Sequence, residues 1–109
     1  MAKTLTVTCE GKDYILEFNR RTVAEMERNG FIAADVSKKP MSTLPVMFEG
    51  AFLAHHRFTP KETIAKMFDS MPNKSDLIGK LSEMYNEPIL SLLTDSEEPE
   101  GNVNWTASW

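Results

Sequence analysis

Thr4-Leu5-Thr6-Val7-Thr8-Cys9-Glu10-Gly11-Lys12-Asp13-Tyr14-Ile15-Leu16-Glu17-Phe18 decides the fold class of this chain. Leu5, Val7 and Cys9 alternate with Thr4, Thr6 and Thr8. Threonine is β-branched, so both faces of the first arm favour extended backbone. Glu10-Gly11-Lys12-Asp13 supplies the turn, with one glycine to take a positive φ in a short hairpin loop. In the second arm Tyr14, Leu16 and Phe18 share a face against Ile15 and Glu17, and that aromatic face is the one expected to be buried. A lone hairpin is marginal in water, so the rest of the chain must offer it an apolar surface.

Outward from the hairpin, the pattern turns helical. Asn19 is placed to cap a first helix, with Thr22 and Glu25 as the rival capping box. Val23 and Met26 face inward, and Gly30 suits the left-handed residue beyond the helix end. Ile32-Ala33-Ala34-Asp35-Val36 reads as either a short strand or a loop, closed by Lys38-Lys39-Pro40. A second helix is expected after Ser42 or Thr43, with Pro45 in its first turn. Its Leu44, Phe48, Ala51 and Phe52 recur at helical spacing and mark it as the central helix, and Gly50 allows a close neighbour. Thr59-Pro60-Lys61-Glu62 predicts a third start, capped by Thr59 with Pro60 in the first turn. Ile64, Ala65, Met67 and Phe68 form its stripe, and Met71-Pro72-Asn73 ends it. A last helix from Asn73 or Ser75 carries Leu77, Ile78, Leu81, Met84, Tyr85, Ile89, Leu92 and Leu93, with a kink or break expected near Glu87 before Pro88. The fold expected is α+β and mainly helical: an N-terminal hairpin on three to four helices over residues 1–94, then a flexible acidic tail over 95–109.

Size and charge narrow the functional classes. A chain of 109 residues fits one domain with one core, without room for a deep pocket as well. The net charge is −4 and the pI about 5.1, which argues against nucleic acid and gives no support for an anionic membrane surface. Arg20-Arg21, Lys38-Lys39 and the Arg57 and Lys61 pair are short basic clusters without an aromatic platform. They are, however, matched in sign to the acidic stretch Asp95–Glu100. Cys9 is alone and has no internal disulfide partner, which fits a reducing compartment. No signal peptide and no membrane span are expected from the apolar runs.

Catalytic and metal chemistry find little footing. His55 and His56 are adjacent and so diverge by about 100° on a helix, which makes a poor chelate. No motif spacing links them to Cys9, Glu49 or Asp69, so no metal site and no cofactor are expected. The bland reading has one histidine packed or capping and the other in solvent. Cys9 lacks a helix N-terminus to activate its thiol. Glu83 and Glu87 share a helix face, without a cleft or contrasting surroundings to make an acid and base of them. A non-enzymatic protein is expected.

Both tryptophans lie in the last five residues, Trp105-Thr106-Ala107-Ser108-Trp109. Such a tail either docks on its own domain or is offered to a partner, since tryptophan is a preferred interface anchor. Val103, Trp105 and Trp109 in the tail, with Phe48, Phe52 and Met84 lining a groove, form the partner-binding set expected from the residues. Of the methionines, Met26, Met47, Met67, Met71 and Met84 would serve an adaptable interface or, for most of them, the core.

Several blocks in order carry a family resemblance. They are Tyr14-Ile15-Leu16-Glu17-Phe18-Asn19-Arg20-Arg21-Thr22-Val23, Met26-Glu27, Gly30-Phe31, Lys39-Pro40, Phe48-Glu49-Gly50-Ala51-Phe52, His55-His56, Glu83-Met84-Tyr85-Asn86-Glu87 and Glu100-Gly101-Asn102-Val103-Asn104-Trp105. On these the chain resembles the phage tail assembly chaperones of Gram-positive bacterial phages and prophages. The resemblance implies binding to the tape-measure protein, help in polymerising tail-tube protein, residence in the host bacterial cytoplasm and absence from the mature virion. It also implies a short form beside a frameshifted long form. A homo-oligomer is compatible with it. The alternative is a structural adaptor of the tail or head that stays in the virion, and the rival from another class is an enzyme or metal protein built on Cys9, His55 and His56.

Overall fold

The computed structural model describes residues 3–94 and 105–109. Strand β1 (Thr4–Cys9) pairs antiparallel with β2 (Lys12–Glu17), and five helices follow: α1 (Arg20–Arg28), α2 (Asp35–Lys38), α3 (Pro40–Gly50), α4 (Lys61–Asp69) and α5 (Lys74–Leu93). The turn is tighter than the four residues the sequence suggests. Glu10 and Gly11 both take a positive φ, 51° and 78°, while Lys12 and Asp13 already belong to β2. Two successive positive φ values give the turn a twist that matches the strands it joins. Tyr14, Leu16 and Phe18 are the buried face, as their alternation predicts.

The core lies between that face and the helices. Phe48, Ala51, Phe52 and Leu81 are fully buried, and rings run through it edge to face. Phe18 and Phe31 each meet Tyr85 at 5.3 Å, and Phe48 meets Phe52 at 5.3 Å. Met26, Met47, Met67 and Met84 are all core. Gly50 faces Met26 so closely that a Cβ there would stand 2.5 Å from its sulfur, which explains the small residue in the central helix.

Local signals set the ends of α1. Asn19 accepts from the Thr22 amide, and Thr22 Oγ1 accepts in return from the Asn19 amide, so the two rival caps form one reciprocal box. At the other end Gly30 takes φ 95°. Its amide donates to Glu27 and the Phe31 amide to Met26, which satisfies two end carbonyls and turns Phe31 into the core.

Four expectations need correction. Residues 32–36 form no strand: Ile32, Ala33 and Ala34 are loop and turn, and Asp35 and Val36 are helical. Those two begin α2, where Lys39 N–H closes a turn onto the Asp35 carbonyl. The central helix starts at Pro40, where a missing amide is harmless, which leaves Pro45 inside it. Pro45 leaves the Met41 carbonyl without its helical donor, at a residue that is solvent-exposed. Thr59 does not cap α4. Pro60 occupies the cap position with ψ 140° and no side-chain bond. Nor does α5 break at Glu87: it continues through a buried Pro88 to Leu93.

Candidate interaction surface

Residues 51–60 link α3 to α4 and lie along the outer edge of β2. Glu17 N–H donates to the Ala51 carbonyl at 3.1 Å, and Ile15 N–H donates to His56 Nε2 at 2.9 Å. His56 therefore carries its proton on Nδ1. Its ring stands edge-on to Tyr14 at 5.1 Å and near Phe52 at 6.5 Å. Burial first, then the positive charge of Lys12 and of His55, hold His56 below its ordinary 6.5. Neighbouring His55 places Nε2 2.8 Å from Glu17 Oε1 and is half in solvent. The pair thus divides as the bland reading expects, one packed and one outward. Arg57 makes two bonds of 2.9 Å to Glu25, which lower the Glu25 carboxyl. Past these anchors Phe58 stands 94% exposed. Among the described residues no three His, Cys, Asp or Glu come together to hold a metal ion, and Cys9 is a half-buried free thiol.

The second surface is the end of α5. Its buried stripe runs through Leu77, Leu81, Met84, Tyr85 and Pro88 against α1 and α3. Nearer the hairpin, Lys3 Nζ bonds Glu83 at 3.0 Å and lies 3.9 Å from Glu87. The bond to Glu83 raises the lysine and lowers that glutamate. Glu87 Oε2 is buried with no hydrogen-bond partner among the described residues, its lysine being in ion-pair range but beyond bonding reach. At the far end Arg20 Nη2 donates to the Ser91 carbonyl at 2.9 Å and to its Oγ at 2.8 Å. A guanidinium at a helix C-terminus also suits the helix dipole. Around this clamp the helix runs off the body: Leu92, on the line of the buried stripe, is 65% exposed, and Leu90 and Leu93, on other sides of the helix, are 64% and 76% exposed.

Only part of the partner-binding set predicted from sequence reaches a surface. Phe48, Phe52 and Met84 are core residues, with Phe48 at the floor of a small hollow between α3 and α4. Trp105 and Trp109 are exposed and belong to no helix or strand, so neither docks on the body. Val103 and the acidic stretch Asp95–Glu100 lie outside the described residues. Of the basic residues matched to that stretch, Arg57 is occupied by Glu25, Lys61 lies 3.6 Å from Glu49, and Arg20 is on Ser91.

Sequence reasoning placed Leu92 and Leu93 in the apolar pattern of the last helix and passed over Phe58 and Leu90. One signal was available for the leucines. A helix rises about 1.5 Å per residue, so the 9 residues of α1 cannot cover the 20 of α5.

What fold and surface define is a small α+β protein, a hairpin seated on a helical body with apolar side chains left bare at one helix end and one loop tip. The chain belongs to the family described as Domain of unknown function (DUF5055), whose model matches residues 1–109. No curated protein and no solved structure matches it. Among the described residues no helix is long and apolar enough to cross a membrane.

Proposed function

We propose that this protein is a non-enzymatic tail assembly chaperone that binds the tape-measure protein and assists tail-tube polymerisation. On this reading it works in the host cytoplasm and is absent from the finished virion. The observation that carries the proposal is the bare end of α5, where Leu92 carries the buried stripe into solvent and Leu90 and Leu93 stand exposed on other sides of the helix. It stands beside the resemblance of sequence blocks spread over nearly the whole chain. A client helix laid against that bare end would continue the packing that α1 provides further back, a helix-to-helix contact. Each contact would be small. A long client that repeats its apolar stripe would gather many such contacts through multivalency. The net charge of −4 would keep the loaded complex dispersed.

The test is co-expression with the tape-measure protein encoded downstream in the source genome, followed by pull-down. The full chain is expected to hold the client soluble, and a Leu90→Ser, Leu92→Ser, Leu93→Ser variant to release it while keeping its helical signal. Capture by neither form, with the client expressed, would overturn the proposal. Finding this protein in purified virions would favour the adaptor reading instead.

A further inference from the structure

The hairpin has two edges, and one is bare. Ile15 and Glu17 turn their amides away from β1, since those amides donate to His56 and Ala51. Their partners across the ladder are Thr6 and Thr4. In antiparallel pairs of this kind both residues point their N–H and C=O groups outward. Thr4 and Thr6 therefore present a row of donors and acceptors on the far side of β1, which no backbone group among the described residues meets. That edge is undefended, because Thr4–Cys9 contains neither a charge nor a proline to repel an added strand. At its C-terminal end lies a hollow of about 560 Å³, lined on the core side by Val7, Cys9, Met67 and Met71.

The same chain holds a segment suited to such an edge. Val103, Trp105, Ala107 and Trp109 alternate with Asn102, Asn104, Thr106 and Ser108, the two-residue period of a half-buried strand. This stretch also lacks charge and proline. Trp105 and Trp109 are exposed on their own copy, Trp105 at 84%.

We propose that Trp105–Trp109 of a second copy adds to β1 as a third strand. Its main chain pairs with Thr4 and Thr6, as in strand addition generally, and alternate side chains give the choice of partner. Trp105 and Trp109 share one face of that strand, and with this face on the core side one of them falls over Met67 and Met71, where sulfur and ring make a favourable contact. The contact is head to tail, so each copy keeps one edge and one tail free, and assembly grows into chains or closes into a ring. None of this requires a client, so a failed pull-down leaves it standing.

Two variants test it, each removing one half of the contact. Thr6→Pro deletes an outward donor on an edge strand, a position where proline is tolerated, and leaves the tail intact. Trp105→Ala, Trp109→Ala spoils the tail and leaves the edge. Molar mass by light scattering is expected to rise with concentration for the unaltered chain. Each variant alone stays monomeric, and an equal mixture forms a dimer and nothing larger, because it has one good edge and one good tail. Circular dichroism and a cooperative urea transition check that both variants fold. If Thr6→Pro does not fold, Thr6→Lys takes its place in the same mixture. A monomeric unaltered chain, assembly that survives Thr6→Pro or its replacement, or a monomer whose Thr6 amide is protected until the tryptophans are removed would each overturn the proposal.

Discussion

The two edges of the hairpin belong to one sheet and meet opposite fates. The outer edge of β2 is covered by residues 51–56, with Ala51 and His56 taking the Glu17 and Ile15 amides. The outer edge of β1 meets no backbone partner among the described residues. The difference arises from what lies beyond each edge. Phe52 is fully buried against Tyr14 and Phe48, so the loop that carries it passes along β2. Beside β1 the nearest helix, α4, leaves a hollow instead. A covered edge is a matter of stability, and an open one is a matter of association.

The largest way to break the contrast is to remove the anchor of the cover. Phe52→Ala is expected to cost about 3–5 kcal/mol, the range for deleting a buried phenylalanine ring, and to free the Ile15 and Glu17 amides together. Urea denaturation with amide exchange reads both. Next in size is His56→Ala, expected to cost about 1 kcal/mol for one hydrogen bond in a half-exposed place. It should speed exchange at Ile15 while leaving Glu17 slow, and His56→Gln should recover part of the loss. Acid supplies a milder version. His56 is held below 6.5 in the fold, so the unfolded chain binds more protons as pH falls. Stability from this group is present above 6.5 and is lost as pH drops through and below it. A protonated ring also cannot accept from Ile15. Urea midpoints at neutral and mildly acidic pH should separate for the natural chain and separate less for His56→Gln. The smallest effect is expected on the bare edge. Thr6→Lys, measured in dilute solution, should move stability by less than about 0.5 kcal/mol, since the side chain it replaces is exposed on the solvent face.

Features set by neighbours in sequence were legible, and features set by distant packing were not. Gly11, Asn19 and Gly30 announce a turn, a cap and a helix end because each acts within a few residues of itself. Pro40 and Pro45 were misread for the opposite reason. Both suit a first turn, and local pattern does not choose between them; the helix begins at Pro40 and runs through Pro45. Distant packing also overturned the expected groove. Phe48, Phe52 and Met84 look like anchors in a list of apolar residues, but they belong to one core with the hairpin face of Tyr14, Leu16 and Phe18. The bond from Ile15 to His56 joins residues 41 apart, and no local pattern predicts it.

The ring pair of Phe18 and Tyr85 has a consequence for how the chain is made. Synthesis delivers the hairpin first, yet its aromatic face is completed by a residue from the last helix, 5.3 Å away in the finished fold. Lys3 likewise finds Glu83 only then. At roughly 5–20 residues per second, the ribosome keeps Phe18 waiting several seconds for Tyr85. A two-stranded hairpin is marginal by itself, so nascent chains spend that interval with an open strand edge and three bare apolar side chains. In a crowded polysome, that interval leaves the hairpin open to neighbouring chains until Tyr85 is made to cover it.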